Sequence, residues 1–154
     1  WGLKYDPAMA GVIADSGVCC CLMHNRENLQ YQDFMQDVMT DLRQSIELAQ
    51  KAGIPEQKIL LDPGIGFAKT FEQNLKVVRC LEQFHALGYP MLLGTSRKSM
   101  IGMALELPVD ERLEGTLVTT VFAVLAHYAF VRVHDIKENV RAIRMAQAVL
   151  HTNI

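Results

Sequence analysis

Short runs of apolar residues alternate along this chain with longer stretches in which apolar positions return every three or four residues. That rhythm predicts repeated βα units and a parallel sheet. Four runs stand out as strands: Val18 to Met23, Lys58 to Leu61, Pro90 to Leu93 and Phe130 to Val133. Each is nearly all apolar, as strands covered on both faces are. Between the first two, Phe34, Val38, Leu42, Ile46 and Ala49 mark one helix stripe, and Gly53 with Pro55 ends it. Leu75, Val78, Leu81 and Leu87 mark the next, closed by Gly88 and Pro90. A mostly apolar, well buried helix is expected from near Asp110 to about Ala129. The last helix starts at Asp135, with Glu138 completing a capping box, and turns Ile136, Val140, Ile143 and Val149 inward. Asp6 to Ser16 reads as one further helix.

Four such strands cannot close a barrel, yet their spacing suits part of a (β/α)₈ barrel, which takes roughly 250 residues. Half a barrel is the simplest reading, and a small doubly wound sheet fits the same pattern. The size agrees with one domain or part of one, since 154 residues, half of them hydrophobic, support a single core of ordinary size. A net charge of −2 spread along the chain excludes the basic field of a nucleic-acid binder. The longest apolar stretch, Leu117 to Phe130, falls short of a membrane span and contains Thr119, Thr120 and His127. No leader precedes the first strand, and the chain opens at Trp1 without a methionine, so a preceding piece is expected. Cys19, Cys20 and Cys21 are consecutive and Cys80 stands apart, which is not metal spacing. They read as small buried hydrophobes of a reduced, cytoplasmic protein.

In parallel α/β architectures ligands gather at the C-terminal ends of the strands. The four runs end in Met23-His24-Asn25-Arg26, Asp62-Pro63-Gly64-Ile65-Gly66-Phe67, Gly94-Thr95-Ser96-Arg97-Lys98 and Arg132-Val133-His134-Asp135. Asp62 stands at the rim of the core, where its carboxylate suits the flat donor edge of a 2-amino heterocycle; capping the Pro63-Gly64 turn is the plainer role. Gly64 and Gly66 permit close approach to a ligand or simply a sharp turn. Gly94 to Lys98 combines hydroxyls, two cations and a helix start expected near Ser96, which together make an anion site. Arg132 and His134 share one face of a strand end and could both grip a phosphate. His85, His127 and His151 read as structural, whereas His24 fits either role.

Leu61 to Thr70, Gly94 to Gly102, Arg132 to Asp135 and Glu111 to Thr116, in this order and at these separations, resemble the successive signatures of the dihydropteroate synthases. The resemblance implies α/β architecture in the form of the C-terminal half, strands five to eight, of a (β/α)₈ barrel spanning residues 1–154. It implies a transferase that joins 6-hydroxymethyl-7,8-dihydropterin diphosphate to 4-aminobenzoate, releasing pyrophosphate. Asp62 would bind the pterin edge and Lys98 its carbonyl side, with Met23, Gly66, Phe67 and Gly94 around the pocket. Ser96 would take the aminobenzoate carboxylate, bordered by Lys69 and Arg97, while Arg132 and His134 would hold the pyrophosphate. Lys98, Arg132 and His134 carry the catalytic expectation.

Mg²⁺ is the implied cofactor, with no ligand expected in this half, and a homodimer through the last helices is the implied assembly. Ala68 departs from the glycine common in the family, which matters only if the backbone there has positive φ. The family's metal-binding asparagine, its two early loops and the Asp and Asn that complete the pterin pocket belong to its first half, so this chain alone is expected to be inactive. A pterin-binding methyltransferase domain and a non-catalytic barrel-half module are the competing readings; the Ser96-Arg97-Lys98 anion site favours the synthase.

Overall fold

Strand order follows chain order. In the computed structural model, which describes residues 2–152, β1 (Cys20–Met23) lies parallel to β2 (Ile59–Asp62), with Cys20 opposite Ile59 and Met23 opposite Asp62. A parallel bridge from Leu61 to Met91 links β2 to the next strand, β3 (Leu92–Leu93). β3 in turn lies parallel to β4 (Phe130–Val131). The order is therefore monotonic and, among the described strands, lacks the reversal that marks a doubly wound sheet. α1 (Gly2–Tyr5) and α2 (Met9–Ser16) precede the sheet. α3 (Phe34–Lys51), α4 (Phe71–Arg79), α5 (Ser99–Leu105), α6 (Leu113–Leu125) and α7 (Ile136–Leu150) follow the strands, and none among the described residues is long and apolar enough to cross a membrane.

Alternation along the strands sends Leu22, Ile59, Leu61, Met91 and Leu93 to one face, where they join Val38, Leu42, Val77 and Phe84 in the core. Each such side chain contributes about 1.5–3 kcal/mol on burial. The opposite face is different: Cys21 and Phe130 are exposed and Leu60 and Leu92 only half-buried. Coverage on both faces, the sequence expectation, is thus corrected to coverage on one. Crossovers of one hand between strands that never reverse their order deliver every helix to the same side. The same geometry corrects the cysteines, since Cys19 and Cys21 are exposed and Cys20 and Cys80 intermediate.

α3 matches its predicted stripe, and the Asp33 carboxylate caps it by accepting the Gln36 N–H at 3.2 Å. The next helix breaks in two, α4 and a 3-10 stretch over Leu81–Leu87, leaving Leu75 exposed. Thr70 and Gln73 form a capping box at the start of α4. The box expected at Asp135 does not form, because that carboxylate is held by Arg97.

The largest inversion is in the last two helices. α6 spans only Leu113–Leu125 and buries Thr116, Thr119 and Thr120, while Val118, Phe122 and Leu125 face outward. The buried hydroxyls are satisfied: Thr119 bonds Thr95 at 2.7 Å and Thr120 bonds Asn139 of α7 at 2.6 Å. α7 buries Asn139, while Ile136, Val140 and Val149, expected inside, are exposed.

Candidate active site

The C-terminal ends of the strands converge on a cleft of about 220 Å³ lined by Met23, Asp62, Phe67, Gly94, Ser96, Lys98, Arg132, Val133 and His134. Gly66, Lys69 and Arg97, also singled out by the sequence, are not among its lining residues.

Asp62 closes β2 with only 8% of its surface exposed. One carboxylate oxygen accepts the Gly64 N–H at 2.7 Å, so the turn-capping role is real. The other oxygen, Oδ2, lies beside Gly94. Burial pushes the Asp62 pKa up, while the Gly64 N–H and the cations Lys98, Lys69 and Arg132 pull it back. Gly64 has φ 71°, and a Cβ there would overlap the His24 carbonyl oxygen, so only glycine fits. Lys98 donates to the Ile65 carbonyl and sits 4.6 Å from the centroid of the Phe67 ring, which ties the third strand end to the second. Burial lowers the Lys98 pKa and nearby Asp62 opposes the shift.

The expected helix start near Ser96 falls three residues later, at Ser99. Arg97 has φ 57°, so the chain must turn before a helix can begin. Ser96 is buried, and its hydroxyl lies 2.9 Å from His134 Nδ1 while accepting the His134 backbone N–H at 3.1 Å. Arg97 instead forms a two-pronged pair with Asp135 at 3.1 and 2.5 Å. Its N–H is accepted by Thr116 and its carbonyl takes a bond from Arg112. Of the histidines read as structural, His85 does bond the Ala126 carbonyl, at 2.5 Å, whereas His127 and His151 are exposed.

Behind the Asp62 turn runs a polar chain of which Lys69, His24 and Arg26 were named from the sequence, while Asp41 and Tyr31 escaped it. Lys69 Nζ lies 2.8 Å from His24 Nδ1, and His24 Nε2 lies 2.9 Å from Asp41 on α3. Arg26 grips both oxygens of Asp41, at 2.5 and 3.3 Å, and stacks on the Tyr31 ring. Asp41 and Lys69 fix the tautomer: a carboxylate only accepts and an ammonium only donates, so His24 carries its proton on Nε2. Burial, helped by Lys69, drives the His24 pKa down to about 4. Burial also lowers Lys69 to about 7. Burial raises Asp41, but the bonds from Arg26 and His24 outweigh it and hold that carboxyl below its usual range. A signal existed in the sequence, for Asp41 occupies an inward position of the Phe34, Val38, Leu42 stripe. Among the described residues no three His, Cys, Asp or Glu side chains gather as metal ligands would.

Known proteins resemble this chain closely. The family model described as "Pterin binding enzyme" matches residues 1–134. A dihydropteroate synthase of Clostridium beijerinckii is 54% identical over 97% of this chain and 56% of its own length. One from Bacillus subtilis is 48% identical over 98% and 53%. A crystal structure of dihydropteroate synthase from Clostridium difficile, obtained in the presence of pteroic acid, superposes with a TM-score of 0.95 at 46% identity, covering 99% of this chain and 58% of that one. The chain therefore spans little more than half the length of these relatives, and it belongs to the pterin-binding enzyme family, resembling its dihydropteroate synthases almost from end to end.

Proposed function

We propose that this chain is the C-terminal half of a (β/α)₈ barrel whose whole is a dihydropteroate synthase. The observation that carries the reading is one cleft holding the buried Asp62 carboxylate, Lys98, and the Arg132 and His134 pair at the adjoining strand end. Asp62 and Lys98 hold the pterin edge, with Met23, Phe67 and Gly94 against the ring. Arg132 and His134 hold the diphosphate. Ser96, expected to take the aminobenzoate carboxylate, is engaged twice with His134 and orients that imidazole toward the diphosphate instead. In the reaction the arylamine nitrogen bonds to the pterin methylene carbon and loses a proton, while the carbon–oxygen bond breaks and its electron pair leaves on pyrophosphate. Cations placed where that charge develops supply the catalysis.

The monotonic parallel order and the open sheet face support the half-barrel, since both are what a barrel wall looks like from within. The same open face and unpaired edges make the chain alone inactive. Mg²⁺ belongs to the reading, but the donors here do not fit it: Asp62 is the cleft's one carboxylate and is already tied to Gly64 among cations. Its ligands would come from the preceding half and the diphosphate. Outward Val118, Phe122, Leu125, Val140 and Val149 support a homodimer through the last helices. Free cysteines agree with a cytoplasmic location.

The test is pyrophosphate release by the full-length protein with each substrate omitted in turn, alongside Asp62→Asn. Release that needs both substrates and fails in the variant is the expected result. A folded protein that binds pterin and releases nothing would turn the reading toward a methyltransferase or a non-catalytic module.

A further inference from the structure

Lys69 was expected beside the aminobenzoate, yet its ammonium has no proton left to offer. An ammonium donates three hydrogen bonds, and Lys69 Nζ faces three acceptors: His24 Nδ1 at 2.8 Å, the Gly64 carbonyl at 2.9 Å and the Phe67 carbonyl at 3.0 Å. Two of these belong to the turn that carries Asp62 at one end and Phe67 at the other. The third belongs to a side chain with no exposed surface, fixed to α3 through Asp41. That anchor is directional. Arg26 donates to Asp41, His24 donates to Asp41, and Lys69 donates to His24, so each link uses the only role its neighbour leaves. The turn's other holds are the His24 N–H on the Asp62 carbonyl, the Gly64 N–H on the Asp62 carboxylate, the Gly66 N–H on Asn74, the Phe67 N–H on the Gly64 carbonyl, and Lys98 on the Ile65 carbonyl from the cleft side.

We propose that Lys69 is a positioning residue for the pterin site: it clamps the 62–67 turn to the His24–Asp41 pair, setting where Asp62 and Phe67 stand, and touches neither substrate. The inference rests on the functional reading above and adds to it a specificity, for only the pterin side depends on this turn. Losing this charge-assisted hold on the turn corresponds to about a tenfold effect on binding of the ligand that the turn contacts.

The experiment uses the full-length protein with Lys69→Met and, as the charge-keeping control, Lys69→Arg. Steady-state kinetics give KM for each substrate, and hydrogen exchange reads the Gly66 and Phe67 amides. Lys69→Met is expected to raise the pterin diphosphate KM about tenfold, to leave the aminobenzoate KM unchanged, and to add little in an Asp62→Asn background. Exchange should quicken at those amides alone, and a thermal midpoint close to wild type shows that the fold survives. A rise in the aminobenzoate KM with the pterin value unchanged would overturn the proposal, as would full additivity with Asp62→Asn. Should Lys69→Met fail to fold, Lys69→Gln, which drops the charge but stays polar, takes its place: faster exchange confined to these amides supports the clamp, and unchanged exchange sinks it. If wild type turns nothing over, the functional reading falls, and exchange alone decides the clamp.

Discussion

Ser96 and His134, on neighbouring strand ends, hold each other twice: the serine hydroxyl meets His134 Nδ1 at 2.9 Å and accepts the His134 backbone N–H at 3.1 Å. A hydroxyl that donates to Nδ1 leaves the imidazole proton on Nε2, the nitrogen free to face an anion in the cleft. Ser96→Ala removes both links and leaves a backbone donor unpaired, costing about 1–2 kcal/mol of stability. Pterin diphosphate should bind more weakly to that variant while a pterin without the diphosphate binds as before. Calorimetry with the two ligands checks this, and equal losses for both would refute it.

Lys98 joins the third strand end to the second through the Ile65 carbonyl and the Phe67 ring. Lys98→Ala removes the charge beside Asp62 without opening the core. Turnover should fall by about a hundredfold or more, with far-UV circular dichroism unchanged. Near-normal turnover in a folded variant would end the assignment of Lys98 to the pterin.

Two backbone positions in the Asp62 loop predict opposite outcomes. Ala68 holds φ 46°, a region that costs a residue with a β-carbon about 1 kcal/mol, and the Tyr31 hydroxyl pins its carbonyl at 2.7 Å. Ala68→Gly should therefore be neutral or stabilising by about 0.5 kcal/mol, even though glycine usually weakens a fold. Gly64→Ala should destabilise by several kcal/mol, about 3 or more, because its β-carbon collides with the His24 carbonyl. Urea midpoints of the two variants decide both.

Acid should loosen the site from behind. The native His24 pKa of about 4 lies below its ordinary 6.5, so between these values the unfolded chain takes up a proton that the native one refuses. The His24 contribution is full above 6.5 and falls as pH drops toward 4, by on the order of 3 kcal/mol. Asp41 adds the same sign, its contribution lost as pH falls through its lowered value; Asp62, raised by burial, partly offsets it. His24→Gln should flatten the slope of stability against pH in this window. Parallel slopes for wild type and variant would remove His24 as the cause.

Much of this was legible in the sequence because local rules governed it. The βα alternation, the α3 stripe and the convergence of Asp62, Ser96, Lys98, Arg132 and His134 follow from period and strand-end position alone. What escaped was set by partners distant along the chain. Asp135 reads as a capping residue until Arg97 is brought against it. The threonines of α6 read as breaks in an apolar helix until Thr95 and Asn139 arrive to satisfy them. Lys69 reads, through the resemblance, as a neighbour of the aminobenzoate until His24 and two carbonyls are found around it. In each case hydrogen bonding across the fold outranked the local pattern, and no single-chain periodicity carries that information.

The alternation within β1 also writes a chemical label onto the sheet. Cys21 stands on the open face with its thiol pushed up to about 12 by burial, Asp62 and Cys20, while Cys19, just outside the strand, is exposed to solvent. An alkylating reagent should therefore mark Cys19 quickly whatever else is present, and Cys21 slowly for as long as its face is reachable. The ratio of the two adducts becomes a clock for whatever closes over that side of the sheet, and the protein carries it without any engineered probe.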